Sequence, residues 1–160
     1  MAVSVAVETP LQDDVRSLVS DLNDHLLPLS PLEFQFKMTV EQMADKHTTV
    51  FVARDENGSA VGCGALKDHG DGVGEVKRMF TRPTVRGQRI GSALLEAITA
   101  LANDKGISRL VLETGNTPGF EAAWRLYERS GFTRCGVLLD YPDSDYSAFY
   151  EKRLALAPAQ

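Results

Sequence analysis

The stretch of this sequence best equipped for chemistry runs from Glu75 to Leu95. It reads Glu75-Val76-Lys77-Arg78-Met79-Phe80-Thr81-Arg82-Pro83-Thr84-Val85-Arg86-Gly87-Gln88-Arg89-Ile90-Gly91-Ser92-Ala93-Leu94-Leu95. A β-forming run closes at Pro83, a tight turn follows, and a helix opens among small residues. The first turn of a helix presents N–H groups without intrahelical acceptors and carries the positive end of the macrodipole. It therefore suits an anion such as a pyrophosphate. Gly87 and Gly91 let that backbone approach a ligand closely, and Arg86 and Arg89 add positive charge. The plainer reading of the same residues is a glycine-containing turn ahead of a buried helix. Two other phosphate-binding patterns fit worse. A P-loop needs a Lys-Ser/Thr pair that is missing here, and a dinucleotide fold needs Gly-x-Gly-x-x-Gly within a βαβ unit.

The remaining reactive side chains offer less. His25, His47 and His69 show no metal-ligand spacing with one another or with Cys63 and Cys135, and no Cys-x-x-Cys occurs, so no metal is expected. Cys135 reads as a packed thiol, and no base is evident that would activate a cysteine for covalent transfer.

The elements that must position these groups fit in one domain. The chain has 160 residues, 43% hydrophobic and 24% charged, which excludes wholesale disorder and repeat architectures. Its net charge of −5 argues against nucleic acid or an anionic membrane as the main partner. No apolar run approaches the roughly 20 residues that cross a bilayer, and the opening residues lack the basic start of a signal peptide. A cytoplasmic protein is the expectation, with one domain over 1–154 and a frayed tail over 155–160.

Along the chain, residues 1–8 read as a first strand. Thr9-Pro10-Leu11-Gln12 has the form of a capping box, and Val15, Leu18, Val19, Leu22 and Leu26 follow at helical spacing. Thr39-Val40-Glu41-Gln42 repeats the box for a short helix to about Lys46. Asn57-Gly58 joins strands 48–54 and 59–66 in a hairpin. Strand 75–81, helix 86–104, strand 107–114, helix 119–130 and strands 133–138 and 147–154 complete an α+β arrangement, a mixed sheet with helices on its faces.

Taken together, Met79-Phe80-Thr81-Arg82-Pro83-x-x-Arg86-Gly87-x-x-Ile90-Gly91-x-x-Leu94-Leu95 resembles the acyl-coenzyme-A motif of the GNAT superfamily of N-acetyltransferases, of form Gln/Arg-x-x-Gly-x-Gly/Ala. Leu112-Glu113-Thr114-Gly115-Asn116 and Ala122-Ala123-Trp124-Arg125-Leu126-Tyr127-Glu128-Arg129-Ser130-Gly131-Phe132 resemble the family's fifth strand and following helix. The resemblance covers nearly the whole chain, with one departure: Arg89 stands where the family usually has its first motif glycine. A side chain turned away from the pyrophosphate would leave weakened geometry there, with the site retained.

The resemblance implies a GNAT-like three-layer fold. In it a mostly antiparallel sheet of about seven strands, flanked by about four helices, splays between the fourth and fifth strands. It implies acetyl-CoA as cosubstrate, with the main chain at Met79 and Thr81 taking the pantetheine amides and an N–H near Met79 or Phe80 meeting the thioester carbonyl. The amides of Gly87, Gln88, Arg89, Ile90, Gly91 and Ser92, beside Arg86, would hold the pyrophosphate. Tyr127 matches the family's acid, although by position alone it is a core-stripe aromatic. Asn116 either bonds the cofactor arm or caps the next helix. Glu75 and Glu113 compete as base. Glu75 is preferred because strand alternation puts it on the same face as Met79, four residues on; otherwise it is a strand carboxylate paired with Lys77 or Arg78.

The acceptor pocket of this family implies a role for 26–38, with Phe34, Phe36 and Met38, and for the acidic loop 140–145. Those residues read equally as core aromatics and a solvated loop. A small primary amine or amino acid is the expected acceptor, ahead of a protein terminus or lysine. A non-catalytic acyl-CoA sensor on the same fold and a nucleotide-binding protein of another fold are the competing readings. A homodimer is compatible with the family.

Overall fold

The computed structural model describes residues 3–85 and 89–154. Strand β1 (Ser4–Val7) leads to helix α1 (Asp13–Leu26), a 3-10 turn (Leu32–Phe34) and the short helix α2 (Val40–Met43). Strands β2 (Thr48–Arg54), β3 (Ala60–Gly70) and β4 (Val73–Thr81) precede helix α3 (Ile90–Asp104). Strand β5 (Arg109–Gly115), helix α4 (Glu121–Arg129), β6 (Thr133–Cys135) and β7 (Ser147–Arg153) follow. Among the described residues the sheet has seven strands in the order β1-β2-β3-β4-β5-β7-β6. Every neighbouring pair is antiparallel except β4 with β5.

Two apolar layers sandwich the sheet, as strand alternation requires. On one face Val76, Leu110 and Leu112 pack beneath α3 and α4 with Leu94, Ile98 and Tyr127. On the other, Val50, Val52 and Ala65 pack beneath α1 and α2 with Val15, Leu18 and Met43. Met38 joins this second core and is buried.

Local signals fixed several elements. The Thr39 hydroxyl accepts from the Gln42 N–H at 3.1 Å while the Gln42 side chain accepts from the Thr39 N–H at 2.8 Å, so the second capping box forms. Gly58 (φ +79°) turns the β2–β3 hairpin, and the Asp55 carboxylate accepts from the Asn57 and Ser59 N–H groups.

The first capping box does not form. Helix α1 begins at Asp13 after an extended Gln12 (φ −136°), because the Gln12 amide donates to Glu8 and to the Thr9 carbonyl. Arg54 gathers Glu8, Asp14 and the Gln12 side-chain oxygen into the same network from β2. Helix α2 stops at Met43 and β6 at Cys135, both earlier than the sequence suggests, whereas β3 reaches Gly70 and β4 starts at Val73. The turn between these last two strands needs left-handed backbone at Gly70 (φ +81°), Asp71 (φ +54°) and Gly72 (φ +79°); glycine supplies it at two of the three, and aspartate is among the residues that tolerate it at the third.

The feature that makes the site is the parting of β4 from β5. They pair only at Val73 with Arg109, Gly74 with Leu110 and Glu75 with Val111. From Val76 onward the β4 main chain has no β5 partner, so the expected splay is present.

Candidate active site

Beyond the last β4–β5 pair, β4 carries a bulge. Cys63 faces Phe80 while Ala65 faces Lys77, so two steps on β3 span three on β4. Arg78 takes up the extra residue at φ +56°, a conformation that costs an arginine on the order of 1 kcal/mol and needs support from its surroundings. The Cys63 thiol supplies some by donating to the Arg78 carbonyl at 3.3 Å, and the Arg78 guanidinium donates to the Asn23 side chain on α1. Gly64 leaves the room: a Cβ there would stand 2.5 Å from Met79 Sδ and 3.1 Å from Ile98 Cδ1.

The bulge reverses the alternation downstream of it. Met79 packs with Val76 on the α3 face. Glu75 pairs with Val111, which packs on the opposite face with Phe149 and Tyr141. The sharing of one face by Glu75 and Met79 is therefore corrected.

A cavity of about 1190 Å³ runs through the splay from one face to the other. Glu75, Met79, Phe80, Thr81, Arg89, Ile90, Gly91, Ser92, Glu113 and Tyr127 all line it. Arg86, Gly87 and Gln88 lie outside the described residues. Asn116 is absent from the lining. Its N–H and side-chain amide donate to Tyr146 and Asp145 carbonyls, its side-chain oxygen accepts from Arg134, and the cap of the next turn is Thr117.

At the α3 end of the cavity the first helical hydrogen bond runs from Ala93 N–H to the Arg89 carbonyl at 3.1 Å. The N–H groups of Ile90, Gly91 and Ser92 precede it and have no intrahelical acceptors, so partial positive charge faces the lining. Helix α4 approaches closely here, since a Cβ on Gly91 would meet Leu126 Cδ2 at 2.9 Å. Arg89, the N-cap, is left-handed (φ +60°, ψ +26°), the conformation a glycine adopts without penalty. The helix accordingly begins at Ile90 and not at Arg86. Arg89→Gly should raise stability by up to about 1 kcal/mol, the left-handed penalty relieved less the entropy glycine adds to the unfolded chain. Denaturant midpoints of the two proteins check this.

The two carboxylates sit in unlike surroundings. Glu75, 3% exposed, accepts from the Tyr141 hydroxyl at 2.5 Å, lies 2.9 Å from His69 Nε2 and 3.5 Å from Lys77 Nζ. Lys77 also donates to the Tyr141 hydroxyl at 2.8 Å. Both carboxylate oxygens of Glu75 are thus engaged. Glu113, half-buried two residues along β5 from Val111, has no such clamp. Burial pushes its carboxyl up from 4.5 to about 7, with the charge of Glu75 adding to the rise and Ser147 and Lys77 opposing it. The Ser147 hydroxyl is buried beside it without a well-formed hydrogen bond.

Tyr127, only 7% exposed, projects from α4 between Phe132 and Tyr150, with ring centroids 6.0 and 5.9 Å away. Burial drives its phenol well above the ordinary value of 10, and the neighbouring Glu113 charge is the next cause. Tyr127 and Glu113 therefore sense each other electrostatically across the cavity. Both thiols are free, and burial pushes Cys63 up to about 12, which leaves it protonated and unreactive. Among the described residues no group of three or more His, Cys, Asp or Glu side chains is arranged to hold a metal ion, and no helix is long and apolar enough to cross a membrane.

Two expected acceptor segments do meet at the other mouth of the cavity. Phe34 stacks on Tyr146 and Phe36 packs edge-on to Tyr141, each pair with centroids 5.1 Å apart. Phe34 and Phe36 line the cavity, whereas the acidic side chains of 140–145 do not. Tyr141, the residue that joins this wall to Glu75, went unread in the sequence because its partner lies 66 positions away.

Comparison with known proteins gives a consistent result. Residues 46–134 match the model of the acetyltransferase (GNAT) domain family. The chain is 41% identical over 153 residues to an "IAA acetyltransferase" of Azospirillum brasilense, covering 95% of this chain and 98% of that one. It is 34% identical to an uncharacterised N-acetyltransferase of Bacillus subtilis, covering 87% and 93%. A solved structure from Klebsiella pneumoniae, proposed to be an acyl-CoA N-acyltransferase, is 31% identical with a TM-score of 0.78, over 96% and 98% of the two chains.

Proposed function

The chain belongs to the GNAT family of acetyltransferases and is an acyl-CoA-dependent acetyltransferase, and from that premise we propose that it moves an acetyl group from acetyl-CoA to the primary amine of a small molecule or amino acid by direct attack. The observation that carries the reading is the cavity through the β4–β5 splay, which puts an elevated carboxyl, a protonated phenol and a helix N-terminus in one space.

Each part has a separable task. The β4 main chain beyond Glu75 has N–H and C=O groups without β5 partners, so an extended pantetheine arm can pair with it as an added strand. The N–H groups of Ile90, Gly91 and Ser92 take the pyrophosphate. The N–H near Met79 or Phe80, turned by the bulge, donates to the thioester carbonyl and stabilises the charge that grows there.

We assign the base to Glu113 and not to Glu75. Glu75 spends its oxygens on Tyr141, His69 and Lys77, whereas a carboxyl poised near 7 both holds charge at neutral pH and has appreciable affinity for a proton. Glu113 removes the ammonium proton, directly or through water. The amine nitrogen bonds to the carbonyl carbon, the carbon–sulfur bond breaks as Tyr127 gives its proton to the departing sulfur, and the nitrogen passes its second proton, by way of water, to the tyrosinate, which restores the phenol.

The electrostatic link between the two groups orders these steps. While ionised, Glu113 helps hold the Tyr127 proton in place; once it has taken the amine's proton, that contribution disappears and the phenol releases its own more readily.

A thiol-release assay with acetyl-CoA across a panel of primary amines tests the proposal. Release that depends on an added amine supports it. Amine-independent thiol release, with a protein-bound acetyl group accumulating, would contradict direct attack.

A further inference from the structure

Arg78 presents an unusual state for a guanidinium. It is 9% exposed and lines the cavity, yet no carboxylate among the described residues pairs with it. Its one side-chain partner is the neutral amide of Asn23, and its Nε is buried with no hydrogen-bond acceptor. A buried cation left in this condition loses much of its hydration with no anion to compensate, and burial lowers its proton affinity accordingly. Its backbone is left-handed as well, so the position carries two penalties.

The setting indicates what would relieve them. The bulge re-aims Arg78 towards α1, away from the α3 helix N-terminus and from Met79. It therefore stands on the acceptor side of the cavity, with Leu22, Leu26 and Phe36. Lys37, half-buried in the same lining, has no ion-pair partner among the described residues either. A planar fork with an unpartnered Nε matches a carboxylate, and an anion placed there would be held by charge-assisted hydrogen bonds in a desolvated site.

We infer that Arg78 is the receptor for a carboxylate on the acceptor, so that the substrate is an amino acid or a similar amine bearing a free carboxylate. Asn23 keeps the guanidinium in place without neutralising it, which a carboxylate at that position would do. The inference rests on the acetyltransferase reading above and narrows its substrate class.

The test compares L-amino acids with their α-amides and with the amines that lack the carboxyl group, in the thiol-release assay with acetyl-CoA. The wild-type chain is expected to favour the best acid over its amide by roughly 10- to 100-fold in kcat/KM, chiefly through KM. Arg78→Gln should collapse that ratio. Asn23→Asp keeps every backbone contact and supplies an internal anion to Arg78, so it should collapse the ratio even if the Arg78 variant folds poorly. Calorimetric titration of acetyl-CoA on the same samples separates the two levels of the account. Retained acetyl-CoA binding with no acid preference in the wild type, or with the preference intact in Asn23→Asp, overturns this inference alone. Absent acetyl-CoA binding in the wild type overturns the reading beneath it as well.

Discussion

Tyr127→Phe should lower kcat by roughly 10²- to 10⁴-fold, the usual contribution of a positioned general acid. The substitution deletes one hydroxyl and keeps the ring, so the contacts with Phe132 and Tyr150 that fix α4 against the sheet persist. Among the described residues that hydroxyl has no hydrogen-bond partner, so its loss leaves no donor or acceptor stranded and the fold should be at least as stable. Acetyl-CoA affinity should change little, because the arm and pyrophosphate are held by main chain. Steady-state kinetics beside a binding titration check the split: a fall in kcat with unchanged Kd fits an acid. A Tyr127→Phe enzyme with wild-type kcat removes Tyr127 from the reaction and leaves it a core aromatic.

Glu113→Gln carries the second large effect, and it divides activity from stability. The wild-type rate should climb with pH through a limb near 7 as Glu113 ionises, and the variant should lose that limb together with roughly 10²-fold or more in kcat/KM. Stability should move the other way. The folded chain keeps the Glu113 proton up to about pH 7, while the unfolded chain releases it near 4.5. Between those values the folded state binds more protons, so stability is fully present below 4.5 and falls as pH rises towards 7. A glutamine cannot ionise and escapes that loss. At pH 8 the variant should therefore gain on the order of 1–3 kcal/mol over the wild type relative to their difference at pH 4. Thermal melts at the two pH values measure it. If Glu75→Gln abolishes the kinetic limb and Glu113→Gln does not, the base assignment reverses.

The sequence was most informative where structure depends on neighbours in the chain. The Thr39–Gln42 box, the Asn57-Gly58 turn and the apolar stripes of α1 and α3 all appear as read, because each is settled within a few residues. Misreadings arose where distant groups decide. Thr9 and Gln12 satisfy every local rule for a capping box, yet Arg54 on β2 draws Glu8 and Gln12 into its own network. The β4 bulge gives no sign of itself in Lys77-Arg78-Met79, since arginine has no preference for left-handed backbone. It is held from outside, by the Cys63 thiol, Asn23 and the space over Gly64. One inserted residue then exchanged the faces of everything after it, which is why Glu75 and Met79 part company. Of the fourteen candidate site residues read from the sequence, ten line one cavity, three (86–88) lie outside the described residues and Asn116 is off the lining, while the unlike environments of the two carboxylates gave no sign in the sequence. They depend on Tyr141 and Ser147, contributed by the last loop and the last strand.

The most direct measurement is a crystal structure of the chain with coenzyme A. The account predicts the pantetheine arm paired along β4 beyond Glu75 and the pyrophosphate at the start of α3. The thiol sulfur should lie within roughly 3.5 Å of the Tyr127 hydroxyl, with Glu113 across the cavity. Coenzyme A bound outside the β4–β5 splay, or with its sulfur far from Tyr127, would contradict it.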